Sequence, residues 1–177
     1  GQDGYGMPQH AALRPLLQQC ATVDEALDLL RSMPWAGKGL NVCLVDRHGS
    51  AAVVEKSGAR MGVRAPEHQC VFHTNHYESA SMADILPLGG SKRGNSHERM
   101  DNLRRLLLVD SSPRSFEFMK AVLSDHSCPG GICRHGTEDG MHSRFGYVMA
   151  PAEGYMWITD GYPCSSAYIP HTFADFA

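Results

Sequence analysis

The sequence lacks the features that would place it in several large protein classes. It has no apolar run of about 18 residues that could span a membrane, and no basic start followed by an apolar secretory core. Lys and Arg total 16 against 19 Asp and Glu, so the clustered positive charge of a nucleic-acid or anionic-membrane binder is missing. Six cysteines are too sparse for a small disulfide scaffold. We therefore expect a cytoplasmic protein that binds neither nucleic acid nor membrane.

Two common catalytic signatures are also missing from the sequence. No Gly-x-Ser-x-Gly elbow occurs, and no pair of carboxylates stands out as a glycosidase-type site. What is present is ordinary for a globular protein: 177 residues, 42% of them apolar and 20% charged. That length predicts about one domain with its own hydrophobic core.

The hydrophobic pattern predicts an α+β fold with an antiparallel sheet and flanking helices. Thr22 and Glu25 have the spacing of a capping box, and the apolar residues that follow recur every three or four positions, as in an amphipathic helix. Four apolar runs separated by polar turns then predict a meander of strands at 40–46, 51–57, 59–66 and 70–77.

Helices are predicted again after the sheet, beyond a Gly-rich segment at 86–97 that we expect to be a mobile loop. Asn95 is the predicted cap of the first of these helices. Ser112, followed by Pro113, is the predicted cap of the second. Two final strands are predicted on either side of the turn at 152–154.

A polar segment, HTNHYES, follows the fourth predicted strand and is the first candidate site. The side-chain amide of Asn75 could donate a hydrogen bond to a developing oxyanion. It could equally satisfy the backbone of a turn. His73 and His76 flank Asn75, and a histidine near a strand end can be structural or catalytic.

A second candidate is the cluster of His126, Cys128, Cys133 and His135. A zinc module built on these residues is one hypothesis, but structural zinc sites usually repeat a close pair of ligands, and here the two thiols are not followed by a second pair. We therefore expect neither a metal nor a cofactor. Cys133 could be a reactive thiol beside Arg134 and His135, or a packed cysteine in a tight loop. Arg144 could be an ordinary surface ion-pair residue.

Several segments in order resemble the acyl-coenzyme A:6-aminopenicillanic acid acyltransferase family, the C45 peptidase-like branch of the N-terminal nucleophile hydrolases. The segments are GMPQHAALRPLLQQCATVDEALDLL, NVCLVDRHGSAAVVEKSGARMGVRAPE, HTNHYES, GICRH and SRFGYVMAP. The resemblance implies an αββα sandwich, of which residues 1–177 would form a single domain or the C-terminal portion. It also implies a cysteine amidohydrolase or acyltransferase that acts on a linear amide C–N bond, with a small amide substrate and an acyl-CoA thioester as a further acyl donor.

The resemblance also implies roles for individual residues. Asn75 maps onto the family's oxyanion-stabilising asparagine, with His76 as a supporting neighbour. Arg144 maps onto the arginine that orients the nucleophile, with Ser143 beside it and Arg134 as the alternative.

The family's nucleophile is an N-terminal cysteine that autocatalytic cleavage of a precursor exposes and that uses its own α-amine as base. No cysteine of this sequence is N-terminal. We therefore expect the nucleophile on an upstream segment or separate chain, in a homo- or hetero-oligomer. The alternative is a non-catalytic binding or interaction domain on the same scaffold.

Overall fold

A computed structural model of the chain describes residue 6 and residues 8–36, 39–85, 93–109, 112–136 and 140–172. The chain divides into two compact units, Gly1–Ser91 and Lys92–Ala177. Each unit contains helices and one three-stranded antiparallel sheet, so the predicted α+β class is confirmed. Across the described ranges, no helix is both long enough and apolar enough to pass through a bilayer.

The first unit places two helices before its sheet. Its helices are α1 (Gln9–Gln19) and α2 (Val23–Ser32), and its strands are β1 (Leu40–Val45), β2 (Ala51–Ser57) and β3 (Arg60–Arg64), with a short 3₁₀ turn at Ala80–Met82. The strands pair in the order β1-β2-β3. The predicted capping box is confirmed: the Thr22 hydroxyl accepts from the Glu25 N–H, and the Glu25 carboxylate accepts from the Thr22 N–H.

The helices cover one face of this sheet and form the core with it. Ala52 and Val54 of β2 join a cluster with the apolar faces of α1 and α2. The same face of β1 contributes Val42 and Leu44, which are opposite Val54 and Ala52 in the strand register. This packing uses the alternate residues of each strand, as expected for an antiparallel sheet. The opposite face of β2 is left for Val53 and Glu55, which are also buried.

The predicted fourth strand at 70–77 is wrong. His68 and Gln69 take positive φ angles of 47° and 63°, and only an isolated bridge joins Glu67 to Cys70. Further along, backbone groups bond to side chains instead of to a strand: Phe72 O accepts from Arg64, and Thr74 O accepts from Asn41. Residues 70–79 therefore cross the second face of the sheet as an irregular strap.

Close approach of this strap depends on a glycine in β3. A Cβ at Gly62 would lie 2.6 Å from both the Cβ and the Oγ of Ser79. Because Gly62 has no side chain, the strap can come into close contact with the sheet at this point.

The second unit places its helices before a second sheet. Its helices are α3 (Arg93–Arg104), which continues into a wider π turn at Arg105–Val109, and α4 (Phe116–Leu123). Its strands are β4 (Tyr147–Ala150), β5 (Tyr155–Thr159) and β6 (Tyr168–Thr172), paired in the order β4-β5-β6. The two predicted final strands correspond to β4 and β5, and β6 is an addition at the sheet edge, where Pro170 is tolerated.

Two predicted helix starts in this unit differ from the structure. α4 begins three residues later than predicted because Ser115, not Ser112, is its cap: the Ser115 hydroxyl accepts from the Phe118 N–H. α3 begins at Arg93, so Asn95 lies within its first turn and accepts from Arg99. Of the predicted loop at 86–97, residues 86–92 lie outside the described residues.

Among the described residues of the second unit, α4 covers one face of the second sheet. Phe116 of α4 packs against Trp157, with ring centroids 4.7 Å apart, and meets Tyr168 edge-on at 5.8 Å. The opposite face carries Tyr147, Met149 and Ile169, each at least half exposed. A sheet with one bare apolar face normally packs against another layer.

Candidate functional site

A buried carboxylate in the middle of the first sheet fixes the strap that carries Asn75. Glu55 is fully buried. Its Oε1 is 2.8 Å from His73 Nε2, and the same oxygen accepts the Glu78 N–H at 2.8 Å. Its Oε2 accepts the Ser79 N–H at 3.0 Å. One side chain of β2 thus holds both ends of the polar segment HTNHYES.

The hydrogen bonds to Glu55 decide its charge state. Burial acts to raise the pKa of the Glu55 carboxyl, because it penalises the ionised form. Hydrogen bonds from His73, Glu78 and Ser79, together with positive charge on His73, oppose burial and lower the pKa to about 2. Arg64 adds a further cation, with Nε 3.7 Å from Glu55 Oε1. The carboxylate is therefore ionised at neutral pH and acts as a fixed acceptor.

Asn75 is exposed between residues that are held in place. On one side, Thr74 O accepts from Asn41 at 3.2 Å, and the Thr74 hydroxyl lies 3.2 Å from His76 Nδ1. On the other side, His76 is buried and its Nε2 is 2.7 Å from Glu78 Oε1. These contacts constrain the backbone on both sides of Asn75. An exposed amide on a constrained backbone is the arrangement that a preorganised hydrogen-bond donor requires.

The remaining predicted residues lie together in the second unit. Arg134 and Ser143 are joined twice: the Arg134 N–H donates to the Ser143 hydroxyl, and the Ser143 N–H donates to the Arg134 carbonyl, both at 2.9 Å. An isolated bridge between His135 and His142 continues this pairing. Arg144 follows directly and is exposed. Ser143 thus fixes the backbone from which Arg144 projects.

A cavity of about 500 Å³ lies beside this pairing. Its lining includes Arg134, His126, Cys133 and His135. Cys133 is buried, and that burial raises the pKa of its thiol. Donor atoms of His126, Cys133, His135 and Cys164 all lie within 4.8 Å of one another. This group is the Cys-His cluster, and its four side chains could together hold a metal ion.

Residues 1–146 match the model of the acyl-coenzyme A:6-aminopenicillanic acid acyl-transferase family. The chain belongs to this family. A search among curated proteins finds no match.

The family match covers both groups of predicted residues. It includes the first unit with Asn75 and His76, and it extends through Arg134, Ser143 and Arg144. β4, β5 and β6 lie beyond its end, as does Cys164. Membership in the acyl-transferase family therefore rests on the first unit and on the second unit up to the start of β4.

Sequence reasoning missed two residues that organise these regions. Glu55 looks like an ordinary polar residue within an apolar strand. Its burial could have been suspected because Val53 and Val54, two consecutive apolar residues, precede it and indicate a strand that is buried on both faces. Cys164 gives no local signal, because 29 residues separate it from His135, whose Nε2 lies 3.3 Å from its Sγ.

Proposed function

We propose that this chain supplies the oxyanion donor and an orienting arginine to an N-terminal-nucleophile cysteine amidohydrolase or acyltransferase. The reaction is cleavage of a linear amide C–N bond in a peptide or small acyl amide, with transfer of the acyl group to water or to a second amine. An acyl-CoA thioester is a further acyl donor. The observation that carries the proposal is Asn75, exposed on a strap that Glu55 holds, within a chain of the acyl-transferase family.

Each residue has a defined role in the proposed reaction. The cysteine thiol gives its proton to the α-amine of the same residue, and the thiolate attacks the substrate carbonyl. The carbonyl oxygen becomes an oxyanion, to which the Asn75 amide donates a hydrogen bond. The α-ammonium returns the proton to the leaving amine as the C–N bond breaks, and a thioester remains. Water or an acceptor amine then releases the acyl group. Arg144 holds the nucleophile in line through its planar guanidinium.

Internal hydrogen bonds support placing the nucleophile outside this sequence. A cysteine of this mechanism needs a free α-amine, but the fold uses the backbone at four of the six cysteines of the sequence. The Cys20 N–H donates to Leu16, the Cys70 N–H to Glu67, and the Cys133 N–H to Asp125. Cys43 lies within β1, opposite Val53. Cleavage before any of these residues would break a turn or a strand.

The bare face of the second sheet supports the same proposal. Tyr147, Met149 and Ile169 form an apolar surface on the side away from α4. In the αββα sandwich that we propose, a second sheet would cover such a face, and burial of apolar area would stabilise the pair by about 25 cal/mol per Å².

Replacing Arg144 tests the proposal. In the full-length gene product, Arg144→Lys is expected to lower kcat/KM for acyl-amide cleavage by about 10- to 100-fold, because one ammonium cannot reproduce the two-point contact of a guanidinium. Steady-state kinetics with a panel of acyl amides and acyl-CoA thioesters measures this effect.

Arg31→Lys is the matched control, because Arg31 lies on the exposed surface of α2, where it pairs with Asp28. It should leave kcat/KM within about twofold of the wild type. Saturable binding of the acyl amides without any turnover would refute the catalytic proposal and favour a binding domain on the same scaffold.

A further inference from the structure

Four side chains of the second unit point their donor atoms at one position. His126 Nε2 and His135 Nε2 are 3.1 Å apart, and His135 Nε2 is 3.6 Å from Cys133 Sγ and 3.3 Å from Cys164 Sγ. In a tetrahedral zinc site, bonds of about 2.3 Å to sulfur and about 2.0–2.1 Å to nitrogen place the ligand atoms about 3.3–3.8 Å apart. The separations around His135 are close to this range without any rearrangement of the chain.

The loops that carry these side chains are held in place by other contacts. Asp125 anchors the first loop: its carbonyl accepts the Cys133 N–H at 2.9 Å, and its carboxylate accepts from Asn102 and the Ser127 hydroxyl, each at 2.6 Å. His126 and Cys133 are therefore fixed at the two ends of one closed loop. A site formed on a preordered loop loses little conformational entropy on binding.

Tyr162 connects the other two side chains of the cluster. Its ring stacks on His135, with centroids 4.0 Å apart, and its carbonyl accepts the N–H groups of Ser165 and Ser166 in the turn that contains Cys164. Its hydroxyl is 2.8 Å from His142 Nδ1. One residue thus sets both the ring orientation of His135 and the position of Cys164.

We propose that His126, Cys133, His135 and Cys164 bind one zinc ion in a closed, tetrahedral site. Two thiolates and two imidazoles are a ligand set that favours zinc among the common divalent cations. All four positions are taken by protein, so the ion is structural, not catalytic. It cross-links the loop after α4 to the turn between β5 and β6.

The proposed site pairs Cys133 with Cys164, whereas the spacing argument against a metal considered Cys128 as the second thiol. Cys128 is exposed in the same loop as Cys133, but it is not one of the four residues whose donor atoms converge. The second thiol of the cluster is Cys164, which lies in the turn between β5 and β6. The ligands therefore form a pair close in sequence, Cys133 and His135, with one ligand before it and one far after it.

Metal content and chelation test the site directly. The full-length protein, expressed without a histidine tag and purified under reducing conditions, is expected to contain about one zinc per chain by plasma mass spectrometry. Stripping the metal with a chelator should lower Tm by about 5 °C or more, and added zinc should restore it. Cobalt should give the intense visible bands and the thiolate charge-transfer band of a tetrahedral site.

Two ligand variants and one control locate the site. Cys164→Ser and His126→Ala should each reduce zinc to well below one per chain, and His126 is exposed, so its replacement does not disturb the core. Cys128→Ser should keep the full zinc content and the wild-type Tm. A folded, reduced wild-type protein that takes up no zinc would refute the site. So would equal zinc loss in Cys128→Ser, or a Cys133–Cys164 disulfide in the freshly isolated protein, as found by peptide mass.

Discussion

Asn75→Ala in the full-length gene product is expected to lower kcat for acyl-amide cleavage by about 100- to 1,000-fold, with Tm within about 2 °C of the wild type. Removal of a preorganised oxyanion donor raises the activation free energy of the reaction. The folded core changes little, because the Asn75 side chain is exposed. Initial-rate kinetics and calorimetry on the same preparations measure both quantities.

Gln18→Ala is the matched control for Asn75→Ala, because Gln18 is an exposed amide on α1. It should change neither kcat nor Tm. If Asn75→Ala loses activity and Tm together, Asn75 is a structural turn residue, and its assignment as oxyanion donor is wrong.

Glu55→Gln is expected to reduce the free energy of unfolding by about 2–4 kcal/mol. The carboxylate accepts from His73 and from the N–H groups of Glu78 and Ser79. A glutamine amide would turn its NH₂ group toward one of these donors, so at least one buried hydrogen bond is lost. Urea unfolding followed by circular dichroism measures the difference. The control is Asp28→Asn on the exposed surface of α2, which should change the free energy of unfolding by less than about 1 kcal/mol.

The effect of Glu55 on stability should depend on pH in a defined direction. Its pKa in the folded protein is about 2, below the ordinary value of 4.5, so the unfolded chain binds the proton more readily. The stabilisation that the ionised Glu55 carboxylate gives the folded protein is complete above about pH 5. It is lost as the pH falls from about 4.5 toward 2. The stability difference between wild type and Glu55→Gln should therefore narrow at low pH. A difference that stays constant between about pH 6 and pH 3 would contradict this charge assignment.

Local sequence signals predicted the regular elements best. The capping box at Thr22 defines the start of α2, because its two reciprocal hydrogen bonds depend on residues only three positions apart. The β1-β2 and β2-β3 pairs were likewise predicted, since short polar turns between apolar runs leave few other pairings. The start of α4 was misplaced because two serines, Ser112 and Ser115, can both cap a helix.

Features that depend on distant contacts could not be predicted. The segment at 70–77 has the composition of a strand, but Glu55 in β2 provides acceptors for the backbone just beyond it and a partner for His73. The segment therefore folds as a strap instead of joining the ladder. The Cys-His cluster depends on a turn that brings Cys164 beside His135. Local periodicity contains no information about such long-range contacts.

Peptide mapping of an acylated intermediate tests the central claim most directly. The full-length gene product is mixed with an acyl-CoA thioester or activated acyl amide, quenched in acid and digested. The account predicts an acyl group on an N-terminal cysteine outside these 177 residues, together with loss or marked slowing of its formation in Asn75→Ala. Acylation at Cys133 or another cysteine of this sequence, or turnover with no acylated cysteine, would contradict it.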